Sequence, residues 1–280
     1  MAGGLDMDCR AAVTTRRRGT GVEVGSTAVD VPSGSVVWEV ACPEVVVGGR
    51  RFDVRHRAIV LGVLACSTDS DRVLADAESL IGSGADVLEL AGSASPETSE
   101  AEALAPLVEA LVTKIGVPLA IDTGSARTLT NCLAGGAVVV PDLGDDHLTA
   151  VRAAGASLLV RIPSPPHGSG AEAGRPERVS AAQAMAAMAE RGGAAAAAGI
   201  PRSKVFLDVG AAGPDLLRSG LASLGWPIVL STIGDDTATP TQALGIALGA
   251  RILRTRDVRS ARRTADVMAA VLAARQDPLT

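Results

Sequence analysis

The amino-acid sequence predicts an α/β fold: a (β/α)8 TIM barrel preceded by an N-terminal β-hairpin. Eight short apolar segments recur along the chain, and each is followed by a polar turn and an Ala- and Leu-rich segment of helical character. Strands that are apolar throughout are typical of a parallel sheet covered by helices on both faces, and eight such units favour a closed barrel. No G-x-G-x-x-G follows an early strand, which argues against a dinucleotide-binding fold.

The eight strands are predicted from apolar runs that end at Gly, Ser, Thr or Asp. They comprise residues 59–65, 86–91, 117–121, 137–141, 157–162, 204–209, 227–231 and 250–254. Helices are predicted after them, among others over residues 71–84, 99–115, 125–136, 145–155 and 259–276. Gly-Ala and Gly-x-Pro turns lead back to the next strand, and we interpret their glycines as helix C-caps.

The chain divides into a tail and one folded domain. Residues 1–34 lack hydrophobic periodicity and are predicted to form a flexible N-terminal tail. Residues 35–280 are predicted to be a single barrel domain, whose first part, residues 35–57, forms a hairpin with turn signals at Cys42-Pro43 and Gly48-Gly49. The Pro- and Gly-rich segment 162–179 follows the fifth barrel strand and could be either a lid or a solvated insertion.

Composition excludes several classes of protein. The formal net charge is −5 and only two residues are lysine, which argues against nucleic acid as a partner. We expect no membrane contact and a cytoplasmic location, because no apolar run is long enough to span a bilayer and no secretory signal is recognisable. The four cysteines and three histidines are scattered, so we expect no zinc site and no disulfide framework.

Polar residues at the carboxyl ends of the predicted strands are the candidate site, since barrel enzymes bind their ligands there. Four strand ends carry a carboxylate, and the last strand ends in two arginines. The residues are Glu89, Asp122, Asp142, Asp208, Arg254 and Arg256, with Asp69 after the first strand and Arg161 after the fifth. The carboxylates could bind a basic heterocycle, or they could neutralise Arg161, Arg254 and Arg256 in a structural network.

From Trp38 to the C-terminus, the order of these segments resembles dihydropteroate synthase, the family of pterin-binding barrels that couples a pterin pyrophosphate to p-aminobenzoate in folate synthesis. The similar segments are LGVLACSTDSD (61–71), GADVLELAGSASPET (84–98), AIDT (120–123), AVVVPDL (137–143), FLDVG (206–210) and GARILRTRDV (249–258).

This resemblance implies roles for five residues. Asp122 and Asp208 match positions that hold the pterin ring, and Arg254 matches one near the pyrophosphate. Asp142 matches the acidic half of an Asn-Asp pair, and Asp69 matches an acidic residue of the first mobile loop.

The chain also departs from the family pattern. An Asn that helps to hold a metal ion and the pyrophosphate is Ala65, so Mg²⁺, which the resemblance implies, lacks its usual ligand. A pterin-contacting Asn is Pro141, a pterin-facing Lys is Asp235, and the His of the last motif is Arg256.

These departures favour a divergent dihydropteroate synthase-like protein that is degenerate for the synthase reaction but could still bind a pterin-like or other small heterocyclic ligand. An active synthase, and therefore a transferase of folate biosynthesis, is the alternative. A non-catalytic scaffold or partner of a true synthase, and an enzyme with an altered amine substrate or metal, stay open as well. The resemblance further implies a homodimer formed through late helices, and residues 262–275 offer an apolar stripe.

Overall fold

The computed structural model describes residues 16–17, 22–23, 40–67, 69–91, 100–161, 180–210, 213–233 and 238–274. Three predictions concern residues outside these ranges. They are the flexibility of the tail 1–34, of which only residues 16–17 and 22–23 are described, the role of segment 162–179, and the position of Asp235.

Short antiparallel pairs precede the barrel. Strand β1 (Arg16–Arg17) pairs with β2 (Val22–Glu23), and β3 (Glu44–Val47) pairs with β4 (Arg50–Asp53). Gly48 and Gly49 connect β3 to β4 with φ angles of 55° and 78°, a conformation that glycine adopts without steric cost. The predicted hairpin is confirmed, and of its two turn signals Gly48-Gly49 forms the turn.

Eight further strands form a closed parallel barrel. They are β5 (Ile59–Ala65), β6 (Val87–Ala91), β7 (Leu119–Asp122), β8 (Val139–Pro141), β9 (Ser157–Arg161), β10 (Val205–Asp208), β11 (Ile228–Ser231) and β12 (Ile252–Thr255). Neighbours follow chain order, and β12 pairs with β5 to close the ring. The predicted (β/α)8 barrel is therefore confirmed, and all eight predicted strands exist.

In the part of the chain that the structure describes, eight α-helices follow the barrel strands and cover the outside of the barrel. They are α1 (Ser70–Gly82), α2 (Glu100–Lys114), α3 (Ala126–Ala134), α4 (Asp145–Ala153), α5 (Ala181–Ala197), α6 (Gly213–Arg218), α7 (Ala238–Ala247) and α8 (Val258–Ala274). None of the helices in the described part of the chain is both long and apolar enough to cross a membrane.

The hairpin closes the amino end of the barrel. Val45, Val47 and Val54 pack in one apolar cluster with residues of the barrel strands. Ser157, at the start of β9, donates from Oγ to the carbonyl of Val46 at 2.8 Å. Arg251, just before β12, is buried and donates from Nε to the carbonyl of Val54 at 2.9 Å. Since the hairpin packs against this end, we expect a ligand to enter at the carboxyl ends of the strands.

Leu230 of β11 is held between two glycines on adjacent helices. A Cβ atom built on Gly213 of α6 would lie 2.5 Å from Cδ1 of Leu230, and one built on Gly245 of α7 would lie 2.3 Å from its Cδ2. Leu230 is fully buried, so turning its side chain away from one glycine moves it towards the other.

We therefore expect Gly245→Ala to lower the free energy of unfolding by about 1–3 kcal/mol, because overpacking outweighs the gain in helix propensity. Gly193→Ala is the matched control, because Gly193 also lies inside a helix but has nothing within 4 Å of its built Cβ. It should raise the free energy of unfolding by up to about 1 kcal/mol. Urea unfolding followed by circular dichroism measures both values, and equal effects of the two substitutions would contradict the overpacking.

Candidate functional site at the carboxyl end of the barrel

Five charged residues from five barrel strands meet at the carboxyl end of the barrel. They are Glu89 of β6, Asp122 of β7, Arg161 of β9, Asp208 of β10 and Arg254 of β12. We call these five residues the mouth network. Three carboxylates and two guanidiniums give the network a net charge of −1.

The most buried contact of the network joins Glu89 to Arg254. Arg254 Nε lies 3.0 and 2.9 Å from the two carboxylate oxygens of Glu89, and its Nη2 also donates to Glu89 Oε1. Glu89 has no exposed surface. Burial raises the pKa of the Glu89 carboxyl, and the hydrogen bond from Arg254 works against that rise. Burial alone would lower the pKa of Arg254, but Glu89 holds it above its ordinary value.

Asp122 connects the two arginines. Its Oδ2 accepts from Arg254 Nη2 at 3.2 Å, and its Oδ1 accepts from Arg161 Nη1. Both carboxylate oxygens are therefore engaged by guanidinium groups. The side chain keeps 26% of its surface exposed, so Asp122 still faces the open end of the barrel.

Asp208 uses its two oxygens differently. Oδ1 accepts from the backbone N–H of Gly210 at 3.0 Å and from the Ser231 hydroxyl at 2.8 Å. Oδ2 lies 3.6 Å from Arg161 Nε, which is an ion-pair distance but too long for a hydrogen bond. Oδ2 thus accepts no hydrogen bond from the described residues, although only 4% of the side chain is exposed.

Arg161 keeps one nitrogen without a partner. Its Nη1 binds Asp122 and its Nε faces Asp208, whereas its Nη2 is buried and has no hydrogen-bond partner among the described residues. About a third of the whole side chain, 35%, is nevertheless exposed.

Asp142 lies at the same end of the barrel but points to a helix. Arg191 of α5 donates to its two oxygens at 2.7 and 2.8 Å, and Gly144 N–H adds a third hydrogen bond at 3.1 Å. Arg191 also contacts Asp145 at 2.6 Å. The hydrogen bond with Asp142 raises the pKa of Arg191, although its partial burial opposes this. Asp142 therefore anchors α5 to the end of β8.

Two other predicted site residues stand apart from the mouth network. Asp69 is the N-cap of α1, where its Oδ1 accepts from the Arg72 N–H at 3.1 Å. Arg256 is exposed and makes no hydrogen bond or ion pair with the residues that the structure describes. Arg256 therefore does not join Arg161 and Arg254 in neutralising the carboxylates, contrary to the structural alternative drawn from the sequence.

The described residues do not fit a magnesium ion. Ala65 ends β5 at the mouth and offers no side-chain oxygen, and Pro141 ends β8 without an N–H. No group of three or more His, Cys, Asp or Glu side chains is arranged to hold a metal ion within the described ranges. The carboxylates of the mouth network bind guanidinium groups instead.

Sequence reasoning missed Arg191. A signal did exist, because Arg191 is the sole basic residue of the Ala- and Gly-rich helix α5. A lone cation on such a helix needs an anionic partner once it is partly buried. The nearest strand-end carboxylate, Asp142, is that partner.

Three comparisons place the chain among known proteins. The profile of the family described as "Pterin binding enzyme" matches residues 64–217. The dihydropteroate synthase of Bacillus subtilis (strain 168) is 25% identical over 263 residues, which cover 78% of this chain and 90% of that protein.

Solved structures of dihydropteroate synthases are similar to this chain as well. Dihydropteroate synthase from Thermus thermophilus, in complex with 6HMPPP, superposes with a TM-score of 0.68 at 26% identity over 81% of this chain and 99% of that one. The enzyme from Stenotrophomonas maltophilia, with imidazole in its active site, gives a TM-score of 0.71 at 24% identity over 82% and 98%.

We expect Arg254→Met to leave Glu89 buried without its partner, at a cost of about 3–5 kcal/mol in the free energy of unfolding at pH 8. Without Arg254, the hydrogen bond that opposes the effect of burial on the pKa of Glu89 is lost, so this pKa rises further. A carboxyl whose pKa is raised in the folded state stabilises the protein at low pH, and this contribution is lost as the pH rises through the raised pKa.

The decrease in the free energy of unfolding caused by Arg254→Met, relative to the original protein, should therefore be smaller at pH 5 than at pH 8. Urea unfolding at both pH values measures it. The double variant E89Q/R254M lacks the Glu89 carboxyl, so it should remove this extra dependence on pH. A loss of the same size at pH 5 and pH 8 would contradict the explanation.

Proposed function

Because the chain belongs to the pterin-binding enzyme family, we propose that it is a divergent dihydropteroate synthase-like protein that binds a pterin-like heterocycle at the carboxyl end of its barrel. We further propose that it is degenerate for the synthase reaction.

The observation that carries the binding proposal is the state of Asp208. Its buried carboxylate has one oxygen fixed by Gly210 and Ser231 and a second oxygen, at the open end of the barrel, that accepts no hydrogen bond from the described residues. A buried carboxylate oxygen gains from a donor such as a ring N–H, and such a charge-assisted hydrogen bond contributes about 1.5–3 kcal/mol. Asp122 lies beside it and extends the acidic edge of the site.

The loss of the reaction is supported by the groups that end β5 and β8. Ala65 and Pro141 supply neither the side-chain donors nor the oxygen ligands that the family pattern has there. Asp122 is also already bound by two guanidinium groups. Removing one partner of a buried charged contact costs about 2–5 kcal/mol, so several such changes together disfavour catalysis.

An active transferase of folate biosynthesis is the second candidate. Its support is the similarity to the Bacillus subtilis synthase, which extends over 90% of that protein. The two candidates predict the same ligand but differ in turnover.

We also propose that the protein is a homodimer formed through α8. Val267 and Val271 lie one helical turn apart on α8 with 63% and 48% of their surfaces exposed, which leaves an apolar stripe open to a second copy. The cytoplasmic location expected from the sequence stays a prediction.

Calorimetry with 6-hydroxymethylpterin and with its pyrophosphate tests the binding proposal. We expect heat of binding with the folded protein, and a loss of about 10–100-fold in affinity in Asp208→Asn, because the neutral amide replaces a charged acceptor. Asp76→Asn is the matched control, since Asp76 is an exposed carboxylate on α1, and it should bind as the original protein does. No heat with either compound would refute pterin binding and leave the scaffold alternative.

Turnover is tested separately. We expect no dihydropteroate from the dihydropterin pyrophosphate and p-aminobenzoate, and no rescue of a strain that lacks its own synthase. Rescue by this chain alone would establish the active transferase instead.

For the dimer, we expect Val267→Glu combined with Val271→Glu to convert a dimer into a monomer in sedimentation-velocity measurements, because two charges would be buried in the interface. Val112→Glu is the control, because Val112 is an exposed apolar residue on a different helix, α2. A monomer before any substitution would contradict the dimer.

A further inference from the structure

Within the mouth network, Arg161 Nη2 is a buried hydrogen-bond donor without a partner among the described residues. A buried donor in this state has lost its hydrogen bonds to water without gaining another, so an acceptor atom placed against it would stabilise the complex. The side chain as a whole is 35% exposed, so the guanidinium lies at the open mouth, and a ligand that binds there would have to uncover Nη2.

The guanidinium is already fixed in orientation. Nη1 is bound to Asp122 on one side and Nε faces Asp208 Oδ2 at 3.6 Å on the other. Arg161 and Asp208 are also register partners at the ends of the adjacent strands β9 and β10. Because the planar fork is held by two carboxylates, its third nitrogen is a positioned donor and not a freely moving one.

One free donor therefore lies beside one free acceptor. The donor is Arg161 Nη2, and the acceptor is Asp208 Oδ2, which accepts no hydrogen bond from the described residues. The complementary ligand edge is an acceptor next to a donor. A cyclic amide has this edge, with a ring N–H adjacent to a carbonyl oxygen, whereas an amidine edge presents two donors.

We propose that Arg161 is the specificity-determining residue of this site: its Nη2 binds the carbonyl oxygen of a lactam heterocycle whose adjacent N–H is held by Asp208. The inference rests on the proposed function and adds to it the edge of the ring that is read and the residue that reads it. Replacing the carbonyl by an amino group would set a donor against Arg161 and a bare ring nitrogen against Asp208. A site built around a polar partner rejects such an analogue strongly, because its own groups are left unpaired.

The test compares 6-hydroxymethylpterin with 2,4-diamino-6-hydroxymethylpteridine, which differ in that one carbonyl. Dissociation constants are measured by calorimetry at pH 7. We expect the original protein to bind the oxo compound at least about tenfold more tightly than the diamino compound. In Arg161→Met the ratio should fall to about twofold or less, through loss of affinity for the oxo compound.

The ratio separates a specificity role from a structural one. If Arg161 served only to neutralise Asp122 and Asp208, Arg161→Met would change both affinities together and leave their ratio as it was. Arg152→Met is the matched control, because Arg152 lies exposed in the last turn of α4, and it should change neither affinity.

The outcomes distinguish a failure of this inference from a failure of the proposed function. Binding of both compounds without discrimination, or an unchanged ratio in Arg161→Met, overturns the inference but leaves the proposed function standing. Binding of neither compound by the folded original protein overturns both. If Arg161→Met does not unfold cooperatively on heating, Arg161→Lys replaces it, since the ammonium keeps the charge but lacks the planar fork. The ratio should then fall at least about threefold, and an unchanged ratio overturns the inference.

Discussion

The contact on which the carboxyl end of the barrel depends is the buried pair of Glu89 and Arg254. Neither residue could be accommodated alone, because a buried unpaired charge destabilises a fold by several kcal/mol. The pair spans β5, since Glu89 lies on β6 and Arg254 on β12. It also fixes the position of Arg254 Nη2, which binds Asp122, and Asp122 in turn orients Arg161 towards Asp208. Charges alternate in sign along this sequence of contacts, so each side chain is held by the next.

Much of this arrangement could be predicted from the sequence. The apolar runs located all eight strands, because a strand buried on both faces leaves a continuous hydrophobic pattern. The rule that functional groups lie at the carboxyl ends of barrel strands then selected Glu89, Asp122, Asp208 and Arg254. The sequence could not predict which charge binds which, because that depends on side-chain length and direction. Asp142 binds Arg191 of α5, and Arg256 forms no ion pair with the carboxylates that the structure describes.

The barrel does not depend on polar side chains at every strand end of its mouth. Ala65 and Pro141 are apolar residues at strand ends, and the strands that carry them pair in the barrel. Arg161 gives the carboxylates a cation within the protein itself. Acidic residues that would be costly to bury in an apolar mouth are thereby paired with a cation of the chain itself.

The capped start of α1 sets how a ligand would leave. Only four residues separate the end of β5 at Ala65 from the start of α1 at Ser70, and Asp69 is committed to the helix N-terminus. A connection of four residues is too short to cover a ligand, and Ala65 beside it is exposed. On this side of the mouth, the residence time of a ligand would therefore depend on the strength of its own contacts and not on the opening of the loop after β5.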